Sequence, residues 1–183
     1  MTKAAILRAN KIFLMGSDPI DIGGTLAGIA ATKVPVVILH SWYWDWSAQG
    51  WGGLPPAALQ QLLAGLRALG VTVGLHFSTP ANRSLHRDVP WLVQAMLRAK
   101  RIAPKLVYCD GAMSDHNPPV DDPETVYAVS SLYPHVLRSI VGDQGVVMGA
   151  LGLSDFTADA WGTVDQGSRA DSPGFLDPIS YVQ

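Results

Sequence analysis

Short β-type runs recur in this chain at nearly constant intervals, and that rhythm restricts the fold more than any other feature. Runs starting at Val34 (VPVVILH), Val71 (VTVGLHF), Lys105 (KLVYC) and Gly145 (GVVMGA) are separated by 37, 34 and 40 residues. Their apolar residues occupy both faces, the pattern of strands buried inside a parallel sheet. Longer helical patterns lie between them. Leucines at 59, 62, 63, 66 and 69 form a helical stripe over Pro55 to Leu69, and Gly70 stops it. Asp88 reads as an N-cap, with Pro90 near the first helical position, for a helix reaching Ile102. Asp122-Pro123-Glu124 opens another, to about Val141. Ahead of these, Lys11 to Gly16 (KIFLMG) reads as a strand and Thr25 to Ala31 as a short helix.

Alternation of this kind builds a parallel sheet with right-handed crossovers. Eight such units would need about 290 residues, against the roughly 250 usual for a closed eight-unit barrel. The chain has 183. The expected fold is therefore a single α/β domain over residues 1–183, a partial or trimmed TIM-type barrel, with an open doubly wound parallel sheet as the alternative. Five clear βα units fall within 11–152, and the tail over 153–183 shows no clear further unit. A segment of a larger protein fits the same count.

Composition narrows the function classes. With 48% hydrophobic and 15% charged residues, the chain is core-rich, and a net charge of -2 without a basic cluster gives no footprint for nucleic acid or an anionic membrane. The single cysteine, Cys109, excludes an intramolecular disulfide and a multi-cysteine zinc site. Arg8, Asn10 and Lys11 interrupt the first apolar run before it reaches signal-peptide length. No apolar run approaches the roughly 20 residues of a membrane span, so a soluble, cytoplasmic protein is the default expectation.

The two kinds of loop differ in chemistry. Helix-to-strand links are short and bland, whereas strand-to-helix links are long and hold most reactive side chains. Asp18 and Asp21 follow the first strand; Trp42, Trp44, Asp45, Trp46 and Trp51 follow the second; Asn82, Arg83 and His86 the third; Asp110, Asp115 and His116 the fourth. In parallel α/β folds these links gather at the carboxyl end of the sheet, where ligands bind. Asp110 follows KLVYC directly and precedes Gly111, so it stands at a strand tip, as a site carboxylate or a turn cap. Asp45 lies between Trp44 and Trp46, where it can bond sugar hydroxyls while a sugar face stacks on an indole. The other reading has one or two of these tryptophans packing the loop onto the body. His40 and His76 close successive strands near the same mouth, but neither belongs to an HxH or HExxH motif, and no residue is assigned as a metal ligand. Phosphate-cradling GxGxxG and GxxxxGK[ST] motifs are absent, and no cofactor is expected; the GxSxG elbow is absent too, which argues against an α/β-hydrolase.

The pieces VVILHSWYWDW, LGVTVGLHF, LVYCDGA and LYPHVLRSIVGDQGVVMGALG, in that order across roughly 11–152, resemble the catalytic barrel of the α-galactosidase-like glycoside hydrolases. The resemblance implies Asp110 as nucleophile and Asp45 as a sugar-hydroxyl ligand. It places the acid/base beyond the fifth strand, at Asp165 in WGTVDQGSR with Arg169 nearby, against Asp155 and Asp159 as competitors. Trp42, Trp44, Trp46, His40, His76 and Arg169 would line the sugar site. The chain departs from that family in carrying a single Asp45 where paired aspartates are usual, and Tyr108-Cys109 where a lysine would stand two residues ahead of the nucleophile. The expected function is hydrolysis of a glycosidic bond by two carboxylates. The alternatives are a non-catalytic carbohydrate-binding or structural module and, third, a metal-dependent hydrolase drawing on His40, His76, Asp110 and His116. The expected partner is a carbohydrate, with a homo-oligomer or a second chain completing the barrel left open.

Overall fold

The computed structural model describes residues 1–14, 21–44, 54–78, 89–110, 135–149, 160–161 and 179–182. In chain order the elements are α1 (Lys3–Arg8), β1 (Lys11–Leu14), α2 (Ile22–Thr32), β2 (Val36–Leu39), α3 (Ser41–Trp44), α4 (Pro56–Ala68), β3 (Thr72–Ser78), α5 (Val89–Ile102), β4 (Leu106–Asp110), α6 (135–141), β5 (Val146–Gly149), β6 (Ala160–Trp161) and β7 (Ile179–Val182). The expected strands and helices are recovered within a few residues. The proposed opening of α6 at Asp122 lies outside the described residues, and β6 and β7 fall in the tail where the sequence shows no clear unit.

The seven described strands are parallel and form one sheet in the order β6-β5-β4-β3-β2-β1-β7. Successive strands from β1 to β6 are neighbours, winding in one direction, and the last strand returns to lie beside the first. From β1 to β6 the order does not reverse, as in a barrel, and β7 beside β1 is where the last strand of a barrel lies; the fold is a partial α/β barrel.

The pleat sorts the side chains into two cores, because successive residues of a strand face opposite sides. Ile12, Leu14, Val37, Leu39, Val73, Leu75, Phe77, Val107 and Val147 pack outward against the helices, including the Leu59, Leu62, Leu63 and Leu66 stripe of α4. Phe13, Val36, Ile38, Leu106, Tyr108, Val146 and Met148 form a second, inner cluster. Both faces of β1, β2, β4 and β5 are therefore buried over their described residues, which is why these runs lack polar alternation. Gly74 lies between the inner residues Ile38 and Leu106 in register. A Cβ there would come within 2.8 Å of the Leu106 side chain and 3.2 Å of that of Ile38, so the glycine makes room for two large neighbours.

The amino-terminal end of the inner core is closed by α1. Thr2 caps this helix, its hydroxyl accepting the Ala5 N–H at 3.2 Å, and Ile6 inserts fully buried into the inner cluster. Lys11, also buried, opens β1 and turns its ammonium back to donate to the Leu7 and Ala9 carbonyls at 3.1 and 2.7 Å. These are carbonyls left open at the end of α1, and a cation suits them both as a donor and by charge. No described helix is long and apolar enough to cross a membrane.

Candidate functional site

At the opposite end the inner face changes character. His76 pairs with Tyr108, and Leu39 with Leu75, so His40, one step beyond β2, stands level with both. Tyr108 is in turn level with Met148 on β5. The result is a row of rings at the carboxyl end of the inner core. The His40 and His76 imidazoles stack with centroids 4.7 Å apart and planes 19° from parallel, and His76 stacks on Tyr108 at 5.5 Å and 30°. Phe13, below them on β1, sets its ring at steep angles to all three, with centroids 5.7, 4.9 and 6.0 Å from His40, His76 and Tyr108. Edge-to-face contact of this kind matches the positive ring edge to the negative ring face.

Asp110 ends β4 opposite Ser78. It stands two residues beyond Tyr108 of the ring row, at the carboxyl end of the strand. The strand tip that the sequence singles out is thus at the rim of the mouth.

The aromatic stretch after β2 begins as a helical turn, α3, which the sequence pattern does not announce. His40 holds this turn through three contacts. Its backbone N–H donates to the Leu14 carbonyl at 3.1 Å, its carbonyl accepts the Tyr43 N–H at 3.0 Å, and its Nδ1 accepts the Trp42 N–H at 3.2 Å. An Nδ1 used as an acceptor fixes the neutral tautomer with its proton on Nε2. Trp44 does not stand free as a wall. It is buried against Phe77 in the outer core, ring centroids 4.6 Å apart, and its Nε1–H has no acceptor among the described residues. This is the packing role left open for one or two of the tryptophans. Tyr43 is buried too, and burial pushes its phenol up to about 12. Trp42 is half-buried, its indole edge-to-face with Tyr43 at 5.2 Å and packed against the outer core.

Of the other sequence candidates, Asp21 serves as the N-cap of α2, accepting the Gly24 N–H at 2.9 Å. Asp45, Trp46, Asp155, Asp159, Asp165 and Arg169 lie outside the described residues, as do Asp115 and His116. Among the described residues, no three His, Cys, Asp or Glu side chains are grouped to hold a metal. Two members of the ring row, Phe13 and Tyr108, escape the sequence reading as site residues. The parity that places His76 inward places them inward as well, once strand register is known.

No protein-family model matches the chain, and a search of curated proteins finds no relative. Solved structures do resemble it. It overlays the cyclic alpha-maltosyl-(1→6)-maltose hydrolase of Arthrobacter globiformis with a TM-score of 0.55 at 10% identity, covering 88% of this chain and 56% of that one. For Ttha1563 of Thermus thermophilus the TM-score is 0.53 at 10% identity, covering 96% and 60%. An alpha-amylase from Lactobacillus plantarum gives 0.51 at 12%, covering 86% and 53%. The chain thus spans little more than half the length of these proteins. At such identities the likeness shows the fold alone, a partial α/β barrel. None of the three is by name an α-galactosidase, so the expected α-galactosidase-like subtype gains no support from them.

Proposed function

We propose that this chain is a glycoside-hydrolase-like barrel that binds a carbohydrate at the carboxyl end of its strands and cleaves a glycosidic bond with two carboxylates. The observation that carries this reading is the position of Asp110 at the carboxyl end of β4, two residues beyond Tyr108 in a row of stacked rings. In this role Asp110 attacks the anomeric carbon, and Asp165 protonates the leaving oxygen. The transition state has oxocarbenium character, and retention requires the two carboxyl groups about 5 to 5.5 Å apart. Trp42 and His40, at the carboxyl end of β2, belong to the sugar site in this reading. Asp45, Trp46, His76 and Arg169 complete the sugar site in this reading. One neighbour is by name a hydrolase of a maltose-based saccharide, so an α-glucosidic linkage is the first substrate to try.

The test compares nitrophenyl α-maltoside and α-galactoside as substrates of the chain and of Asp110→Asn. Removing a nucleophile costs on the order of a thousandfold or more in turnover, with maltooligosaccharide binding retained. Turnover unchanged in Asp110→Asn overturns the assignment. Binding without turnover by the unaltered chain favours the non-catalytic module instead, and turnover abolished by a chelator favours the metal-dependent hydrolase.

A further inference from the structure

The amino-terminal end of the barrel has a charge pattern that the sugar-site reading does not use. Each outer helix runs back toward the start of the next strand, so the helix ends and the links after them gather at the end that α1 closes. Six exposed cations stand there. Arg8 closes α1, Lys33 is the C-cap of α2, and Arg67 lies in the last turn of α4. Lys100 and Arg101 lie in the last turn of α5, and Lys105 just ahead of β4. Along the chain they are scattered from residue 8 to residue 105, so the order of residues shows no basic run; the parallel fold brings them to one end.

Part of this pattern follows from the helices. A cation beside the last carbonyls of a helix meets their partial negative charge. Arg67 shows it, donating to the Ile102 carbonyl at the end of α5 at 3.1 Å. Helix ends account for the sign of these residues but not for the scarcity of counter-charge. Up to the end of β4 the acids among the described residues are Asp21 and Asp110, and both stand at the opposite end, as the cap of α2 and the tip of β4. The first described acid at the amino-terminal end is Asp143, in the link before β5.

The shape of this end narrows the partner. The links that precede β2, β3 and β4 are 33–35, 69–71 and 103–105, equally short, so they project no loop and enclose no groove. A nucleic-acid duplex is read by an element that enters its groove, and a single strand is held on exposed aromatic rings. The large apolar side chains exposed at this end among the described residues are Met1 and Leu69, and neither is a ring. Point charges spread over a level face suit a plane of negative charge, with two flexible apolar side chains to enter the boundary between headgroups and acyl chains.

We propose that the amino-terminal end of the barrel docks on an anionic lipid surface through Arg8, Lys33, Arg67, Lys100, Arg101 and Lys105. In this pose the mouth faces away from the lipid and stays open, with Asp21 and Asp110 on the side remote from the negative surface. Docking is superficial and reversible, because charge and two side chains supply it. It does not depend on what the mouth binds or cleaves.

The test is co-sedimentation of the full chain with phosphatidylcholine vesicles, with and without phosphatidylserine. The chain sediments with the phosphatidylserine vesicles at low salt and stays in solution with phosphatidylcholine alone. It is released as added salt shortens the screening length, to about 3 Å at 1 M. Each basic residue near such a surface is worth about fivefold in partitioning, so Lys100→Gln with Arg101→Gln lowers binding by about 25-fold. Both side chains are exposed, so circular dichroism and thermal melting of this variant match those of the unaltered chain. Arg83→Gln with Arg87→Gln removes the same charge from the strand-to-helix link after β3 and leaves binding unchanged. Failure of the unaltered chain to bind, equal sedimentation with both kinds of vesicle, or equal losses in the two double variants overturns the proposal. So does binding to single-stranded DNA or polyglutamate without binding to phosphatidylserine vesicles, which assigns the face to a soluble polyanion. Turnover enters none of these measurements, so the docking and the glycosidase reading fail separately.

Discussion

The two ends of the inner core are built on the same strands and in opposite chemistry. The amino-terminal end is packed with Ile6, Val36, Leu106 and Val146 and closed by α1. The carboxyl-terminal end, two to four residues along each strand, carries His40, His76, Tyr108 and Asp110. One end is packed with aliphatic side chains; the other is packed with rings that carry polar atoms, which aliphatic side chains cannot supply. A barrel separates the two requirements along its axis, so that chemistry at the mouth can change without unmaking the base.

Strand β4 gives the sharpest way to break this contrast, because Leu106 and Asp110 stand at its two ends. Asp110→Asn carries the largest expected effect, the loss of turnover described above, and leaves the melting temperature within a degree or two of the unaltered chain. If it instead melts far lower, Asp110 belongs to the structural end. Leu106→Ala leaves a cavity in a fully buried cluster and lowers unfolding free energy by about 2 to 5 kcal/mol in denaturant titration. A loss below about 1 kcal/mol would mean that the inner cluster is not tightly packed. Gly74→Ala sharpens the same point by overfilling: its Cβ meets Leu106 and Ile38, and the strain costs about 1 to 3 kcal/mol. In Leu106→Ala the obstruction nearest that Cβ is gone, so the double variant is less destabilised than the sum of the two.

The smallest effect concerns α3, between the two ends in character. Tyr43 keeps its proton in the folded chain up to about pH 12, while in the unfolded chain it loses it near 10. The unfolded state therefore binds fewer protons than the native state over that window, and stability falls as pH rises through it. Below pH 10 the contribution is fully present. Tyr43→Phe removes this part of the alkaline slope, and a slope unchanged by the substitution would place the phenol in water.

The sequence made the repeating strands and the leucine stripe of α4 readable because both have a period. Asp110 was readable because a strand tip next to glycine is a local pattern. What escaped has no local pattern. The four residues of α3 are three aromatics and a serine, weak helix formers, and they adopt a turn because His40 supplies the cap. The ring row joins residues from four strands and depends on register, which no single stretch encodes. Strands β6 and β7 are short and set among Gly, Ser and Pro, so periodicity over a window of useful length averages them away. Trp44 looked like part of a sugar wall because a loop tryptophan and a core tryptophan are written alike. Only the position of Phe77 on the neighbouring strand tells them apart.

The pairing of β7 with β1, from Lys11 opposite Ile179 to Leu14 opposite Val182, bears on how the chain acquires its shape. The β1–β2–β3–β4 ladder grows from partners a few dozen residues apart, but this one joins opposite ends of the sequence. Contacts of such long range are the slowest to form, because the intervening chain must be ordered or tethered first. Until β7 arrives, β1 is an open edge offering its backbone to any passing strand. The order of events thus leaves the first strand made exposed for longest, and deletion of 179–182 would make that exposure permanent.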